Sequence, residues 1–441
     1  MPYAESTNLP FESASKLGHL SVVEDPLVKQ LLSSFQAVET TSPELPTGAI
    51  TQLDLNEIEP LAFVIAVDGS VSSVPNSLVA EKTLAYIKVA SLCMSMDDLQ
   101  AAQRPIVDPA FVQQLMSENT NTLSTVLPLN NVGIPGRSVL DTIRSVLRST
   151  FDTVCEGRLL DTLLFLTSRA WDPSAVIDAH FACALCGRDI PLPRGVVDFD
   201  CPACGKALSI VDYLGIQQEV NEDSNEDSVA RSAMLALEHL TVIDYVRRLA
   251  ERNPAALART LVLKDGPLLM SSQYARIVEP IRQYLGYLAS ESNEFYIAGI
   301  EKSGPFVTHA HFLGEALRGA GKVFIPGNEY ILTRIKHMGP GATIYGERVL
   351  YGTKCLVGLD ERNVAVPSVA SAQFKPNATL ADLPALPRIL KTLSQLVSRQ
   401  YQDAVVPIVA ANGLASMSFY PSNDILAKYA SAMVPGLSID A

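Results

Sequence analysis

The sequence has few charged residues and no long hydrophobic run. Only 18% of its 441 residues are charged and 48% are apolar, a composition that excludes a disordered or fibrous protein. No stretch approaches the roughly 18 uninterrupted apolar residues of a transmembrane helix. The first residues, MPYAESTNLPFES, lack the basic start and the apolar run of a signal peptide. We therefore expect a cytoplasmic protein with a sizeable core and no membrane contact.

Basic residues are also scarce. Lys and Arg number 34 against 47 Asp and Glu, which gives a formal net charge of -13. A surface with this charge repels phosphate polymers as a whole. If nucleic acid is the partner, a local groove of cations has to overcome that field.

The seven cysteines are too few for a disulfide scaffold in a chain of this length. Four of them form two CxxC pairs, each followed by glycine: Cys183 with Cys186, and Cys201 with Cys204. Four thiolates suit a tetrahedral structural zinc, and each glycine allows the tight turn that the site needs. Because four protein ligands leave no position for water, the pattern predicts a structural zinc ribbon. The remaining cysteines are predicted core residues: Cys93, Cys155 and Cys355.

Shifts in composition divide the chain into five predicted segments. Residues 1–55 are an N-terminal extension, and residues 56–180 are the first part of a core. Residues 181–212 are the inserted cysteine segment. Residues 213–228 are an acidic loop, whose tract NEDSNEDS at 221–228 is strongly acidic. Residues 229–441 complete the core.

Short apolar runs alternate with amphipathic stretches, which predicts an α/β fold. Strands are expected at 61–67, 260–263 and 295–300, and helices at 139–166, 229–252, 388–401 and from Pro407 onward. The first two strands run into Asp68-Gly69 and Asp265-Gly266. Strand carboxyl ends are where ligands bind in an open α/β sheet. The alternative is that Asp-Gly is only favourable turn chemistry.

A third carboxylate strengthens the ligand interpretation. Glu238 falls inside the apolar stripe of the predicted helix 229–252 rather than opposite it. A carboxylate on a buried face needs a cation or a hydrogen-bond donor. Two aspartates and a glutamate offer hard oxygen ligands for Mg²⁺ or Mn²⁺, and two such ions about 4 Å apart can catalyse phosphodiester hydrolysis.

Five motifs, in order over residues 60–430, resemble the NurA nuclease family. They are AVDGS at 66–70, the Glu238 helix, LKDGPL at 263–268, GIEKSG at 299–304 with VTHA at 307–310, and VPIVAAN at 406–412. Each motif alone is weak, but their order is specific. The likeness is closest to the bacterial branch, whose members also carry a CxxC…CxxC ribbon between the first aspartate and the acidic helix.

The resemblance implies a ribonuclease H-like mixed sheet flanked by helices, with the zinc ribbon inserted. It implies a dimeric, manganese-dependent DNA endonuclease and exonuclease. Such enzymes process DNA ends together with the hexameric HerA translocase, in repair or in anti-phage defence. On this view Asp68, Glu238 and Asp265 are the ligands of Mn²⁺ or Mg²⁺.

The chain departs from the archaeal members of that family at Asn412, where they place a histidine in the last helix. An amide oxygen can ligate a hard cation, but it carries no charge and cannot shuttle a proton. The likeness to the bacterial branch, where asparagine is usual, favours three carboxylates plus Asn412. The alternative is a DNA-binding or assembly subunit without efficient catalysis. A third, weaker alternative is a zinc-ribbon protein of RNA processing.

The remaining candidates have two interpretations each. Glu301 and Lys302 supply either a fourth carboxylate and a cation for the scissile phosphate, or a surface ion pair. His309 is the histidine expected near the cleft from its place in the family motif. Further cations and aromatics are either a DNA groove or scattered surface residues: Lys264, Arg334, Lys336, Arg348 and Lys354 for phosphate, with Tyr345 and Tyr351 for stacking.

Overall fold

The computed structural model describes residues 22–35, 45, 48–74, 82–102, 119–129, 131–219, 227–271, 275–338, 344–398, 403–417, 422–435 and 437. The chain divides into two compact units, Met1–Leu45 and Pro46–Ala441. In the first unit, helix α1 (Pro26–Ser34) begins at Asp25, whose carboxylate accepts hydrogen bonds from two amides of the first turn. Most of the predicted acidic tract 221–228 lies outside the described residues.

The second unit contains the remaining strands and helices. Its strands are β1 (Ile50–Gln52), β2 (Phe63–Val74), β3 (Leu84–Ser95), β4 (Thr120–Pro128), β5 (His180–Ala182), β6 (Asp189–Pro191), β7 (Asp198–Asp200), β8 (Ala207–Ser209), β9 (Thr260–Asp265), β10 (Tyr296–Glu301), β11 (Lys322–Phe324), β12 (Gly352–Lys354), β13 (Leu356–Gly358) and β14 (Val364–Ala370). Its helices are α2 (Met96–Ala102), α3 (Val139–Thr153), α4 (Arg158–Ser168), α5 (Asp227–Arg252), α6 (Pro254–Leu257), α7 (Val278–Ser290), α8 (Pro305–Phe312), α9 (Gly314–Leu317), α10 (Asn328–Tyr330), α11 (Leu386–Ser394), α12 (Val406–Ala415) and α13 (Ser422–Met433).

One large mixed sheet organises this unit. Its strands follow the order β1-β11-β13-β14-β10-β9-β2-β3-β4, and β12 also pairs with β14. Strands β2, β9 and β10 are parallel neighbours at the centre. Strand β3 runs antiparallel to both of its neighbours, β2 and β4, and β14 runs antiparallel to β10. The cysteine segment forms two separate hairpins, β5-β6 and β7-β8. The predicted α/β class is confirmed.

Helices cover both faces of the sheet because the side chains of β2 alternate between them. Ile65 and Val67 pack into the same cluster as the buried face of α5. Val64 and Ala66 pack into the opposite cluster, which includes Ile408 of α12. The sheet centre is therefore enclosed by α5 on one side and α12 on the other.

Strand β2 does not end at Asp68, as the Asp-Gly pair predicts. It continues to Val74, and every residue from Phe63 onward pairs with β3, including Asp68 with Ala90. Pairing with β9 does end here, since the last matched pair is Val67 with Lys264. Asp68 therefore lies at the end of the parallel contact rather than at the end of the strand. The predicted strand ends at Asp265 and Glu301 are confirmed.

The long helix around Glu238 is confirmed as α5, and the predicted start near Pro407 is confirmed as α12. The predicted helix over 139–166 is instead two helices. Between α3 and α4, Cys155 and Glu156 adopt left-handed backbone angles that break the helix. The helix predicted over 388–401 is shorter in the structure, where α11 ends at Ser394. None of the helices in the described part of the chain is both long and apolar enough to cross a bilayer.

Candidate functional site: carboxylates at the sheet centre

Asp68 and Asp265 emerge side by side from neighbouring parallel strands. The register pairs the residues just before them, Val67 and Lys264. Asp68 is only 3% exposed, and its Oδ1 accepts the amide of Gly69 at 2.8 Å. Its Oδ2 is buried and has no hydrogen-bond partner among the described residues. Burial, and next the negative charges of Asp265 and Glu238, raise the pKa of Asp68 to about 7.

Lysines pair with the other three candidate carboxylates. Lys264 Nζ lies 2.6 Å from Glu238 Oε2, and both side chains are almost wholly buried. Lys302 Nζ lies 2.8 Å from Asp265 Oδ2. The carboxylates therefore already have cationic partners, and Asp68 is the exception.

A fourth carboxylate lies at the end of β10, where Glu301 forms an ion pair with the buried Lys354. Strand register places Ile300 beside Asp265, so Glu301 follows one position later on the neighbouring strand. Burial lowers the pKa of Lys354, while the charge of Glu301 raises it. This ion pair is buried, so the alternative that Glu301 forms a surface ion pair with Lys302 is wrong.

Glu238 can approach the sheet because position 69 has no side chain. A Cβ built on Gly69 would lie 2.6 Å from Glu238 Oε1 and 2.8 Å from Met234 Cγ, closer than real Cβ contacts. Burial raises the pKa of Glu238, and the charge of Lys264 opposes this effect. Helix α5 thus brings its carboxylate directly over the strand that carries Asp68.

A cleft of about 540 Å³ lies between the end of β10 and α12, lined by Lys302, His311, Asp403, Asn412 and Glu301. Asn412 is exposed in this cleft, on the face of the sheet opposite to Glu238. His311 Nε2 lies 3.5 Å from Asp403 Oδ2. The cleft therefore combines carboxylate, ammonium, imidazole and amide groups.

His309 does not face the cleft, contrary to the prediction. It is buried, and its Nε2 lies 2.9 Å from the hydroxyl of Tyr330. His311, two residues later on the short helix α8, lines the cleft instead. The two histidines differ in this way because residues two apart on a helix point in different directions.

Several predicted groove residues are inaccessible. Lys264 and Lys354 are buried in their ion pairs, and Tyr351 is buried at 1% exposure. These three residues cannot contact DNA on the surface, so those predictions are wrong. Arg334 and Arg348 are exposed. Lys336 lies 5.6 Å from the ring centre of Tyr345, which leaves an exposed or half-exposed group of cations with one aromatic ring.

His239 is a buried neighbour of Glu238 that sequence reasoning missed. Its Nε2 lies 3.1 Å from the carbonyl of Leu269, and its Nδ1 lies 2.6 Å from the hydroxyl of Tyr351. Since the carbonyl only accepts, Nε2 carries the hydrogen and Nδ1 accepts from Tyr351. Burial, and next the charge of Lys264, lower the pKa of His239 well below its usual value. The neutral imidazole therefore connects α5 by hydrogen bonds to Tyr351, the residue before β12, and to Leu269 in the loop after β9.

The four predicted cysteines form one cluster. The sulfur atoms of Cys183, Cys186, Cys201 and Cys204 all lie within 4.8 Å of one another. Cys186 Sγ and Cys201 Sγ are 3.9 Å apart. No other group of three or more His, Cys, Asp or Glu residues in the described ranges is as close.

Each CxxC pair belongs to a tight turn that closes a hairpin. Gly187 and Gly205 have φ values of 72° and 68°, which glycine adopts without a Cβ clash. The amide two residues after the first cysteine of each pair donates to its sulfur at 3.4 Å. Thiolates held by backbone donors in this way are compatible with a structural Zn²⁺.

The carboxylates differ from the cysteines in that their oxygen atoms are not gathered into one compact set. Their chemistry nevertheless fits a hard divalent cation, because carboxylate oxygens are its preferred ligands and Asp68 Oδ2 is buried without a partner among the described residues. Asp68 and Asp265 would be the first ligands, because they follow the paired residues Val67 and Lys264 on adjacent strands.

Comparison with known proteins adds no relative. No protein-family model and no curated protein matches the chain.

Proposed function

We propose that the protein is a metal-dependent DNA nuclease. The observation that carries this proposal is the position of Asp68 and Asp265 at matching places on neighbouring strands, with Glu238 of α5 close enough for its charge to raise the pKa of Asp68. Like charges are costly to bring together in a buried place unless a cation is bound there. Divalent ions held by such carboxylates activate water and stabilise the leaving oxygen of a phosphodiester.

The architecture supports the same proposal. Three parallel central strands, an antiparallel neighbour and helices on both faces agree with the ribonuclease H-like core that the resemblance to NurA nucleases implies. Ligands in such sheets bind where the parallel strands end. Asp265 and Glu301 end β9 and β10, and Asp68 lies where β2 stops pairing with β9.

The lysines have different roles in this proposal. Lys302 is 38% exposed on its side chain and can leave Asp265 to contact the scissile phosphate. Lys264 is fixed in the core against Glu238 and balances its charge. Asn412 provides a neutral oxygen ligand or a donor to substrate from the other side of the cleft.

The remaining parts of the proposal concern assembly. The four-cysteine segment is a structural zinc ribbon inserted between β4 and α5, the protein is a homodimer, and it acts with a HerA-type hexameric translocase. The net charge of -13 supports a partner that delivers DNA, because this chain alone attracts duplex weakly. The pathway is repair or anti-phage defence.

One observation favours the second candidate, a binding or assembly subunit without efficient catalysis. Lys264, Lys302 and Lys354 each pair with a candidate carboxylate. Ammonium groups that stay paired with these carboxylates would occupy the places of the metal ions and prevent metal binding. The two candidates differ in whether Mn²⁺ displaces Lys302.

Nuclease activity on linear DNA with Mn²⁺ tests the proposal. Asp68→Asn and Asp265→Asn should abolish degradation because each removes a ligand charge. The matched control is Asp97→Asn, an exposed carboxylate in the first turn of α2, which should retain activity. Activity within a few fold of the unmodified protein in both ligand variants would refute the site. A protein that binds DNA, folds normally and never cleaves it would support the assembly subunit.

A further inference from the structure

A second cavity, of about 910 Å³, shares no lining residue with the cleft beside the carboxylates. Its wall consists of the loop after α4, the side chain of Tyr213, and the residues around the start of α7. Its volume falls in the upper part of the range, roughly 300–1,000 Å³, that is usual for ligand cavities. The nuclease proposal does not use it.

Two arginines of the wall lack an acidic partner. Arg169 donates from Nε to Gln283 Oε1 at 2.5 Å and from Nη1 to two backbone carbonyls. Arg276 donates from Nη1 to the carbonyl of Tyr213 at 3.1 Å. Neither guanidinium forms an ion pair with a carboxylate in the described part of the chain. Burial lowers the pKa of both arginines, and the nearby charges of Glu279 for Arg169 and Asp189 for Arg276 oppose this effect.

The acidic residues of the same wall are already engaged. Asp172 accepts from the amide and hydroxyl of Ser174. Asp178 Oδ1 lies 3.2 Å from His180 Nδ1. The carboxylate of Glu279 accepts from Gln283 and lies 3.8 Å from Arg282. Arg169 Nη2 makes no hydrogen bond to another described residue, and Arg276 Nη2 makes only a long one of 3.5 Å to Gln218, so these charged donors suit an anion.

The cavity also presents aromatic surface held in a fixed position. Trp171 packs against Phe165 and Tyr284 with ring centres 5.1 Å apart in each case. Tyr287 lies across the same cavity, half-buried. Arg194, from the turn after β6, donates to three backbone carbonyls of the loop that carries Trp171 and to the carbonyl of Ser168 at the end of α4. The wall is therefore preorganised, which lowers the cost of binding.

We propose that this cavity binds a nucleotide unit, either a free nucleoside monophosphate or the phosphorylated end of a strand. Arg169 and Arg276 contact the phosphate, because guanidinium groups match phosphate oxygens in geometry and charge. Trp171 and Tyr287 contact the base by stacking. Two guanidinium groups outside any ion pair, together with two aromatic rings, suit this class of ligand better than an uncharged one.

The chain supplies its own probe, since Trp171 is its single tryptophan and lies in the cavity wall. The experiment titrates deoxyadenosine monophosphate and follows Trp171 fluorescence, with calorimetry as an independent measure. Deoxyadenosine and inorganic phosphate are titrated separately, as are single-stranded oligonucleotides with and without a 5′-phosphate. No divalent metal is added, so the carboxylate site does not contribute.

Arg276→Gln and Arg169→Gln should each weaken binding at least about tenfold, because each removes charge-assisted hydrogen bonds. Arg169 is also the C-cap residue of α4, so circular dichroism must show that the Arg169→Gln variant is folded. Arg276 caps no helix, so Arg276→Gln tests the phosphate contact without this complication. The matched control is Arg148→Gln, whose guanidinium already pairs with Asp152 and Asp198. Asp68→Asn should bind the nucleotide normally, which separates this cavity from the nuclease site.

Binding of the free nucleotide, lost in the arginine variants, supports a free ligand. Binding of the phosphorylated oligonucleotide alone, lost in the same variants, supports a strand end. Three results would overturn the proposal: no binding of either ligand at millimolar concentration, equal binding of deoxyadenosine and its monophosphate, or unchanged affinity in both folded arginine variants.

Discussion

The ammonium group of Lys264 lies 2.6 Å from the carboxylate of Glu238, and neither side chain reaches solvent. The two residues come from different elements, strand β9 and helix α5, so the pair fixes the helix against the sheet. Two buried charges are stable only as a pair, because removing one leaves the other without compensation. This relationship determines what substitutions at the sheet centre will do.

Lys264→Met should lower the free energy of unfolding by about 3–5 kcal/mol, because Glu238 is left buried and unpaired. The double variant Lys264→Met, Glu238→Gln should be more stable than Lys264→Met alone. Urea denaturation followed by circular dichroism measures both. Lys375→Met is the control, since its ion pair with Asp382 is exposed and should contribute less than about 1 kcal/mol. Equal stability of the single and double variants would contradict the coupling.

Asp68 should make stability depend on pH when no divalent metal is present. Its pKa is raised from 3.8 to about 7, by burial first and by Asp265 and Glu238 next. Between about pH 4 and pH 7 the folded protein keeps this proton while the unfolded chain has lost it, so the free energy of unfolding falls as pH rises. Below about pH 4 both states keep the proton, and the protein does not lose stability from the buried charge. Above about pH 7 the folded protein carries that charge, and the loss of stability is complete.

The measurement compares the unmodified protein with Asp68→Asn by urea denaturation at several pH values. The difference in stability between them should change across pH 4 to 7 and stay constant above about pH 8. Asp97→Asn should follow the unmodified protein at every pH. Parallel curves for Asp68→Asn and the unmodified protein would show that Asp68 has an ordinary pKa.

The cysteine cluster should hold about one zinc per chain. Replacing both Cys183 and Cys186 by Ser should remove the metal and unfold the two hairpins, because metal binding contributes directly to folding. Elemental analysis and limited proteolysis within residues 181–212 measure the two effects. Cys93→Ala is the control, since Cys93 lies in β3 and should leave the zinc content unchanged. Zinc-free protein purified without chelators would count against the site.

Duplex DNA should bind the isolated protein weakly, and the affinity should fall steeply as salt rises. Counterion release supplies most non-specific affinity, and burial of Lys264 and Lys354 leaves fewer cations available. Fluorescence anisotropy across a salt series, with and without a hexameric translocase and ATP, measures this. Tight binding at physiological salt, with digestion as fast as in the mixture, would show that the protein needs no partner.

The sequence predicted the elements that carry the carboxylates because their signals are local. Glu238 interrupts an apolar stripe within one helix, and Asp265 comes two residues after a short apolar run. The cysteine cluster was predicted for the same reason, since the CxxC spacing brings the two sulfur atoms of each pair together within one turn. These signals need no knowledge of what lies across the fold.

The mistaken predictions concern partners far apart in the chain. Lys264 was predicted to be a groove cation because its burial depends on Glu238, which arrives from another element. Tyr351 was predicted to stack on DNA, whereas its hydroxyl is held by His239. The extension of β2 past Asp68 depends on pairing with β3, which overrides the turn preference of Asp-Gly. Tertiary contacts decided each of these positions.

The absence of a side chain at Gly69 restricts which residues positions 69 and 238 can hold together. Alanine there would collide with the end of Glu238, whose carboxylate cannot swing away while Lys264 holds it. Shortening the acid to aspartate would relieve the collision with Glu238 Oε1 while Met234 still has to shift, so Glu238→Asp is expected to suppress the defect of Gly69→Ala in part. Positions 69 and 238 should therefore vary together, with the size of one setting the size that the other can have.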